Sequence, residues 1–355
     1  MTDSSSKDIL KLLTPRKIIF PILLGLGVAG IYFYHKFNPG DFANIQWTWH
    51  STFWMCLAFL LMVIRDLGYM YRLRVVTEEK ITWRHCFDVI MLWEFASAVV
   101  PSMIGGGMAV AMLILNKEKL KMGKSISVIM FTSFLDGMFM AVVAPIVYFI
   151  LGREALFASI NPQSVQQLSF GVELFYIFWV IYFGLLGYKL MIAYALFINA
   201  RAMKYFLIRL FSFKMFRKWR HRIAQTGSDM ILASEELKQQ SIMYWLKSFA
   251  ATCVSWSARF IIINCIILAF CPSDFSNFLL YARQSIMGIL MLVTPTPGGA
   301  GFAEVGFINF LGEFITNPAL TAALAFLWRL LSSYTYYFIG AIVLPMWIRR
   351  VYKKK

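Results

Sequence analysis

Long apolar runs separated by short basic segments fill this chain, and one run is interrupted in its middle by Thr294-Pro295-Thr296-Pro297-Gly298-Gly299-Ala300-Gly301-Phe302-Ala303-Glu304. That stretch cannot continue a straight helix. Two prolines remove backbone donors, and the glycines release the backbone from its usual restrictions. A helical pattern resumes at once and carries a carboxylate, Glu304. In water this would be an ordinary loop. In hydrocarbon the freed backbone groups must find partners or line a cavity. The stretch therefore reads as a break between two half-helices at a substrate site.

Composition makes the bilayer the relevant solvent: 59% of residues are hydrophobic and only 15% are charged. The 33 Phe, 11 Trp and 16 Tyr suit lipid-facing surface and interfacial belts. A net charge of +16 does not point to nucleic acid. The Lys and Arg sit mostly between apolar runs, where positive-inside bias and anionic headgroups account for them, and no basic stripe is interleaved with a stacking platform. The five cysteines and four histidines show no metal-ligand spacing, so no metal and no cofactor are expected. Lys7, Lys11, Arg16 and Lys17 precede an apolar run, but no small-residue cleavage site follows it. The run reads as an uncleaved first span rather than a signal peptide.

Full spans are predicted at 18–34, 51–71, 125–150, 172–198, 243–270 and 320–346. Arg72 and Arg74 fall just beyond the second. The run from Phe87 to Leu115 is interrupted at Pro101…Gly105-Gly106-Gly107 and flanked by basic segments on both sides, which predicts a re-entrant hairpin over 87–115. A second hairpin, 277–315, surrounds the opening stretch. The positive-inside rule places residues 1–17, the connection 72–85, the basic loop 199–241 and the tail 347–355 in the cytoplasm. Within that loop, residues 201–223 interleave basic and aromatic side chains, as in a helix lying on the membrane surface. Residues 18–150 and 172–346 read as the same order of elements in opposite orientations. The predicted fold class is an all-α integral membrane protein of about six spans plus two re-entrant broken-helix hairpins, arranged as an inverted repeat. Transporters use this plan, with the site between the repeats near the midplane.

Half-helices restarting after Gly105-Gly106 and after Gly298-Gly299 would aim unpaired N–H groups and positive dipole ends at a common point, a site suited to phosphate. Ionisable residues inside spans are the other candidates. Glu94 can face the cavity or pair with Arg65. Arg65 and Asp66 can also sit near an interface, and Asp136 can cap or pair structurally. Glu304 can meet a cationic headgroup, take a proton or hold an arginine. Arg329 can hold phosphate or be the fixed partner of Glu304, and Arg259 has the same options. The candidate substrate-binding set is Gly105, Gly106, Gly298, Gly299, Gly301, Glu304, Arg329, Arg259, Asp136 and Glu94.

Pro295 to Glu304 resembles the Pro-Gly-Gly-x-Gly-x-x-Glu signature of the lysylphosphatidylglycerol synthase transmembrane-region family, which includes the flippase portion of the multiple peptide resistance factor. The break at 101–106, the arginine-bearing end of the second span and Arg329 match that layout, and the likeness covers nearly the whole chain. It implies a polytopic domain that moves a lipid between leaflets. Two departures set this chain apart from the lysyl-lipid pattern. The family often has an Arg shortly after the first Gly-Gly, where this chain has Met108-Ala109-Val110-Ala111-Met112, and often Asp-Arg where this chain has Asp136-Gly137. The soluble aminoacyl-transferase domain of full-length synthases is not expected after Trp347.

The reading is thus a non-enzymatic, flippase-like protein of a bacterial cytoplasmic membrane that translocates an anionic or aminoacylated phospholipid, with both termini cytoplasmic. A membrane transferase acting on a lipid-linked substrate, using Glu304, Asp136 or Glu94, is one alternative. A partner subunit docking through 199–241 is another. Monomer and homo-oligomer both stay open.

Overall fold

The computed structural model describes residues 47–100, 107–118, 120–157, 165–210, 234–272, 274–317 and 320–352, with Ser228 and Ile231. The predicted span at 18–34 and most of the loop 199–241 lie outside them. The regular elements among the described residues are all helical: α1 (Trp49–Val76), α2 (Trp83–Val99), α3 (Met108–Lys117), α4 (Met122–Phe157), α5 (Val165–Ala193), α6 (Ala200–Leu210), α7 (Ile242–Phe270), α8 (Asn277–Met291), α9 (Phe302–Leu311), α10 (Leu320–Arg329) and α11 (Thr335–Tyr352). A π turn, Tyr194–Ile198, extends α5, and another, Leu330–Tyr334, joins α10 to α11. Among the described residues, five stretches are long and apolar enough to cross a membrane: Trp49–Val76, Gly123–Phe157, Leu174–Ile198, Ile242–Phe270 and Leu320–Val351. The protein is an all-α, multi-pass integral membrane protein.

The frame is an antiparallel pair, α1 against α7. Thr48 caps α1 by accepting from the Ser51 N–H at 3.3 Å, and Ser51 Oγ donates to the Ala269 carbonyl at 2.7 Å. Further along, Ser255 Oγ donates to the Arg65 carbonyl (3.1 Å), Arg72 Nη1 to Thr252 Oγ1 (3.1 Å) and Tyr244 to the Val76 carbonyl (3.5 Å). The α7 partner moves backward as α1 moves forward. Ser248, Ala251, Thr252 and Ser255 form a buried stripe at helical spacing on α7. Small side chains let helix backbones approach closely where lipid gives no hydrophobic incentive to pair. The tightest point is Gly68, where a β-carbon would sit 2.3 Å from Ser255 Oγ.

Around this pair lie two broken helices. α2 and α3 pack together on either side of the first break, and α8 and α9 do so on either side of the second. Residues 101–106 lie outside the description. α1 runs past its predicted end at residue 71 to Val76, which puts Arg72 inside the bundle rather than in the connection. It ends in a turn where Glu78 and Glu79 have φ of 54° and 59°. Glu78 holds that turn by accepting from Lys124, Lys80 and Gln240. α4 likewise passes its predicted end, bending at Gly152. Of the predicted surface helix 201–223, residues up to Leu210 are described, and they are helical.

Two outcomes follow. Gly68→Val is expected to destabilise the purified protein by about 1–3 kcal/mol through overpacking, read as a lower Tm, while Gly184→Ala, within α5 and meeting nothing within 4 Å, does not lower Tm. Hydrogen bonds from Lys124 and then Lys80 hold the Glu78 carboxyl down at about 2, from an ordinary 4.5. A carboxyl depressed by folding stabilises fully above its unfolded value and loses that contribution as pH falls toward the folded one. Glu78→Gln should therefore flatten the fall in Tm between pH 4.5 and 2 relative to wild type.

Candidate functional site

A cavity of about 280 Å³ opens where α1, α2, α4, α7, α8, the second break and the π turn before α11 converge. The second break reaches it through Gly298. This residue has φ of 56°, and a β-carbon would lie 2.9 Å from the Ala98 carbonyl near the end of α2. Only a residue without a side chain combines that conformation with that approach. The Ala98 carbonyl also accepts from Tyr337 at 3.1 Å. Thus the second break rests on the backbone leading into the first. Gly298 and Gly299 line the cavity, while Gly105 and Gly106 lie outside the described residues.

Glu304 and Arg329 hold the second break in shape. Arg329 Nε faces Glu304 Oε1 at 3.0 Å, with the arginine side chain 3% exposed and the carboxylate fully buried. Arg329 Nη1 donates to the Gly298 carbonyl and to Ser333 Oγ, both at 3.0 Å. Glu304 Oε2 accepts the Gly301 N–H at 2.7 Å. Glu304 stands at the third residue of α9, where a carboxylate satisfies an orphan donor and meets the positive end of the helix. Of the roles left open by sequence, holding an arginine is the one the geometry displays. The N–H groups of Gly299 and Ala300 are also engaged, by Thr296 and Pro297 carbonyls. So the start of α9 is occupied by the chain's own acceptors, and Gly301 and Glu304 stand behind the cavity wall rather than in it.

The other charges gather on the cavity. Glu94 lines it and pairs with Arg65 at 3.2 Å. Arg65 also holds Asp66 at 2.9 Å and donates to the Tyr336 hydroxyl, which in turn donates to Asp66. One guanidinium therefore serves two carboxylates. Asp136 lines the cavity, paired with Arg72 and accepting from Trp256 Nε1 at 2.9 Å. Arg259 also lines it, with its guanidinium 5.2 Å from the Trp256 ring centre. Among the described residues Arg65, Arg72 and Arg329 have carboxylate partners and Arg259 has none. The wall thus presents an uncompensated cation at Arg259 and an excess carboxylate beside Arg65.

Several participants were not singled out from sequence. Arg72 looked like a flanking loop charge, because the helix end was set too early. Tyr336 carries no formal charge, so nothing marked it among the tyrosines of its run. Lys189, from α5, lies over Gly137 and donates to the Ser133 carbonyl at 2.7 Å, bringing a cation beside Asp136 from another helix. Arg283 is buried, pairs with Glu313 at 2.7 Å and donates to the Phe310 and Ala155 carbonyls. It fastens α8 to the ends of α9 and α4 and does not line the cavity.

A chain with these broken helices around a charged cavity is built as a multi-pass membrane protein. The chain belongs to the family described as Lysylphosphatidylglycerol synthase TM region, which it matches over residues 18–340. It is 27% identical over 338 residues to a UPF0104 membrane protein of Archaeoglobus fulgidus, covering 90% of this chain and 94% of that one. No solved structure matches it.

Removing one partner of the Glu304–Arg329 pair leaves a buried uncompensated charge, a loss of about 3–5 kcal/mol. Glu304→Gln and Arg329→Gln should each lower Tm strongly, and the double variant should lie well above the sum of the two losses. Additive losses in that cycle would show that the pair does not hold the break.

Proposed function

We propose that the protein passes a phosphate-bearing lipid between the two leaflets of a membrane. The observation that carries this reading is Arg259, a guanidinium on the cavity wall with no carboxylate partner among the described residues. A charge inside a membrane domain is expensive, about 2.5–3.5 kcal/mol even on the mildest scales, and is kept where an ion pathway or ligand uses it. A phosphate is the anion that suits an arginine fork. The Glu94 carboxylate, sharing Arg65 with Asp66, offers a counterpart for an amine on the same headgroup. An anionic phospholipid would use the first contact, and an aminoacylated one would use both. The headgroup enters the cavity while its acyl chains stay in the bilayer. Membership of the transmembrane-region family supports this assignment. The reaction is transport rather than chemistry on the lipid.

The inverted repeat fits the same reading. α1 and α7 occupy matching places in residues 18–150 and 172–346 and cross as an antiparallel pair. Each half then supplies one broken helix. We place the protein in the cytoplasmic membrane with both termini cytoplasmic, because the basic segments fall on that side.

The test is lipid scrambling by full-length protein in liposomes carrying labelled phosphatidylglycerol, lysyl-phosphatidylglycerol or a phosphate-free glycolipid. Wild type should move the phosphate lipids and not the glycolipid. Arg259→Gln should slow them about tenfold or more, the loss expected for a charge-assisted contact, with Tm unchanged. Wild-type rates equal to those of empty vesicles for every lipid would end the proposal.

A further inference from the structure

The π turn Leu330–Tyr334 interrupts a helix directly beside the cavity, and such turns concentrate at functional sites. Three buried polar atoms there make no hydrogen bond: Arg329 Nη2, left over after Nε meets Glu304 and Nη1 meets Gly298 and Ser333, Ser332 Oγ and the Tyr334 hydroxyl. The Tyr334 ring lies 5.4 Å from the Arg329 guanidinium and away from the cavity lining, so Arg329 and Ser332 are the two that border the cavity. Arg329 is 3% exposed and Ser332 7% exposed, and both line the cavity.

Ser332 and Ser248 are the idle buried serines among the described residues, and Ser332 is the one that lines the cavity. A hydroxyl buried on a helix ordinarily donates back to a carbonyl one turn earlier. Thr132 and Thr252 do so at 2.9 Å, and Thr77 does so at 2.8 Å. Neighbouring Ser333 is already taken by Arg329. A buried polar group without a partner loses its hydration with nothing in return, so two idle donors lining one cavity call for an acceptor. Glu304 already balances the charge of Arg329, so this pair supplies directed hydrogen bonds, while Arg259 supplies net charge from α7.

We propose that Arg329 Nη2 and Ser332 Oγ form an oxyanion subsite that binds a phosphate oxygen of the ligand. The subsite rests on the reading of the cavity as a lipid-phosphate site. A lipid headgroup and free phosphate share that chemistry, and the experiment separates them. Full-length protein in nanodiscs is titrated calorimetrically with dihexanoyl-phosphatidylglycerol, with inorganic phosphate and with phosphate-free dihexanoylglycerol. Ser332→Ala should weaken the phospholipid about tenfold, and Ser332→Thr, which keeps the hydroxyl, should restore it. Dihexanoylglycerol should respond to neither variant. If wild type binds the phospholipid and Ser332→Ala binds it equally well, or Ser332→Thr fails to restore it, the subsite is overturned and the lipid reading stands. If wild type binds inorganic phosphate alone and Ser332→Ala weakens it, the subsite stands and the lipid reading falls. Binding of neither overturns both.

Discussion

The arrangement depends on one ion pair buried where a helix has been cut. Between α8 and α9 the backbone gives up its regular hydrogen bonds, and in a membrane nothing outside the protein replaces them. Arg329 and Glu304 replace them from within. The arginine takes the Gly298 carbonyl, the glutamate takes the Gly301 N–H, and the two side chains meet each other at 3.0 Å. Neither would be tolerable alone at that depth. Together they turn an unstable gap into a fixed wall, and the cavity exists because that wall does not collapse.

Three further ionic groups sit around the same space without duplicating one another. Arg72 and Asp136 join α1 to α4, and Arg65 gathers Asp66, Glu94 and Tyr336 from α1, α2 and α11. These contacts tie together helices far apart in the chain. Among the described arginines that line the cavity, Arg259 has an aromatic ring for its neighbour rather than a carboxylate. The difference separates charges that hold the bundle from the one proposed to meet a ligand.

Much of this was legible in the sequence, for identifiable reasons. Proline and glycine within an apolar run mark a broken helix, because hydrocarbon forbids an unsatisfied backbone. Glu94, Asp136, Arg259, Glu304 and Arg329 stand out because charge is rare inside spans, and their joint placement around one cavity or in its wall follows from that cost. What the sequence could not convey was direction. Glu304 reads equally as a residue meeting a ligand, taking a proton or holding an arginine, and its position three residues into α9, which turns it onto Gly301 and Arg329, selects the last. Arg72 was hidden by an early helix end, since a half-buried carboxylate partner on α4 lets the helix run on with its charge inside. Ser332 and the π turn leave no periodic signal, because the extra residue in a turn is invisible without coordinates. Lys189 is legible only once α5 is seen to cross Gly137.

The central claim is that the space between the breaks receives a lipid phosphate. It is tested most directly by a high-resolution density map of the full-length protein in nanodiscs of phosphatidylglycerol. The account predicts a headgroup phosphate in the cavity, bounded by Arg259 on one side and by Arg329 and Ser332 on the other, with its acyl chains leaving toward the bilayer. A cavity holding only water in that lipid, or lipid seated solely on the outer helix faces, would contradict it.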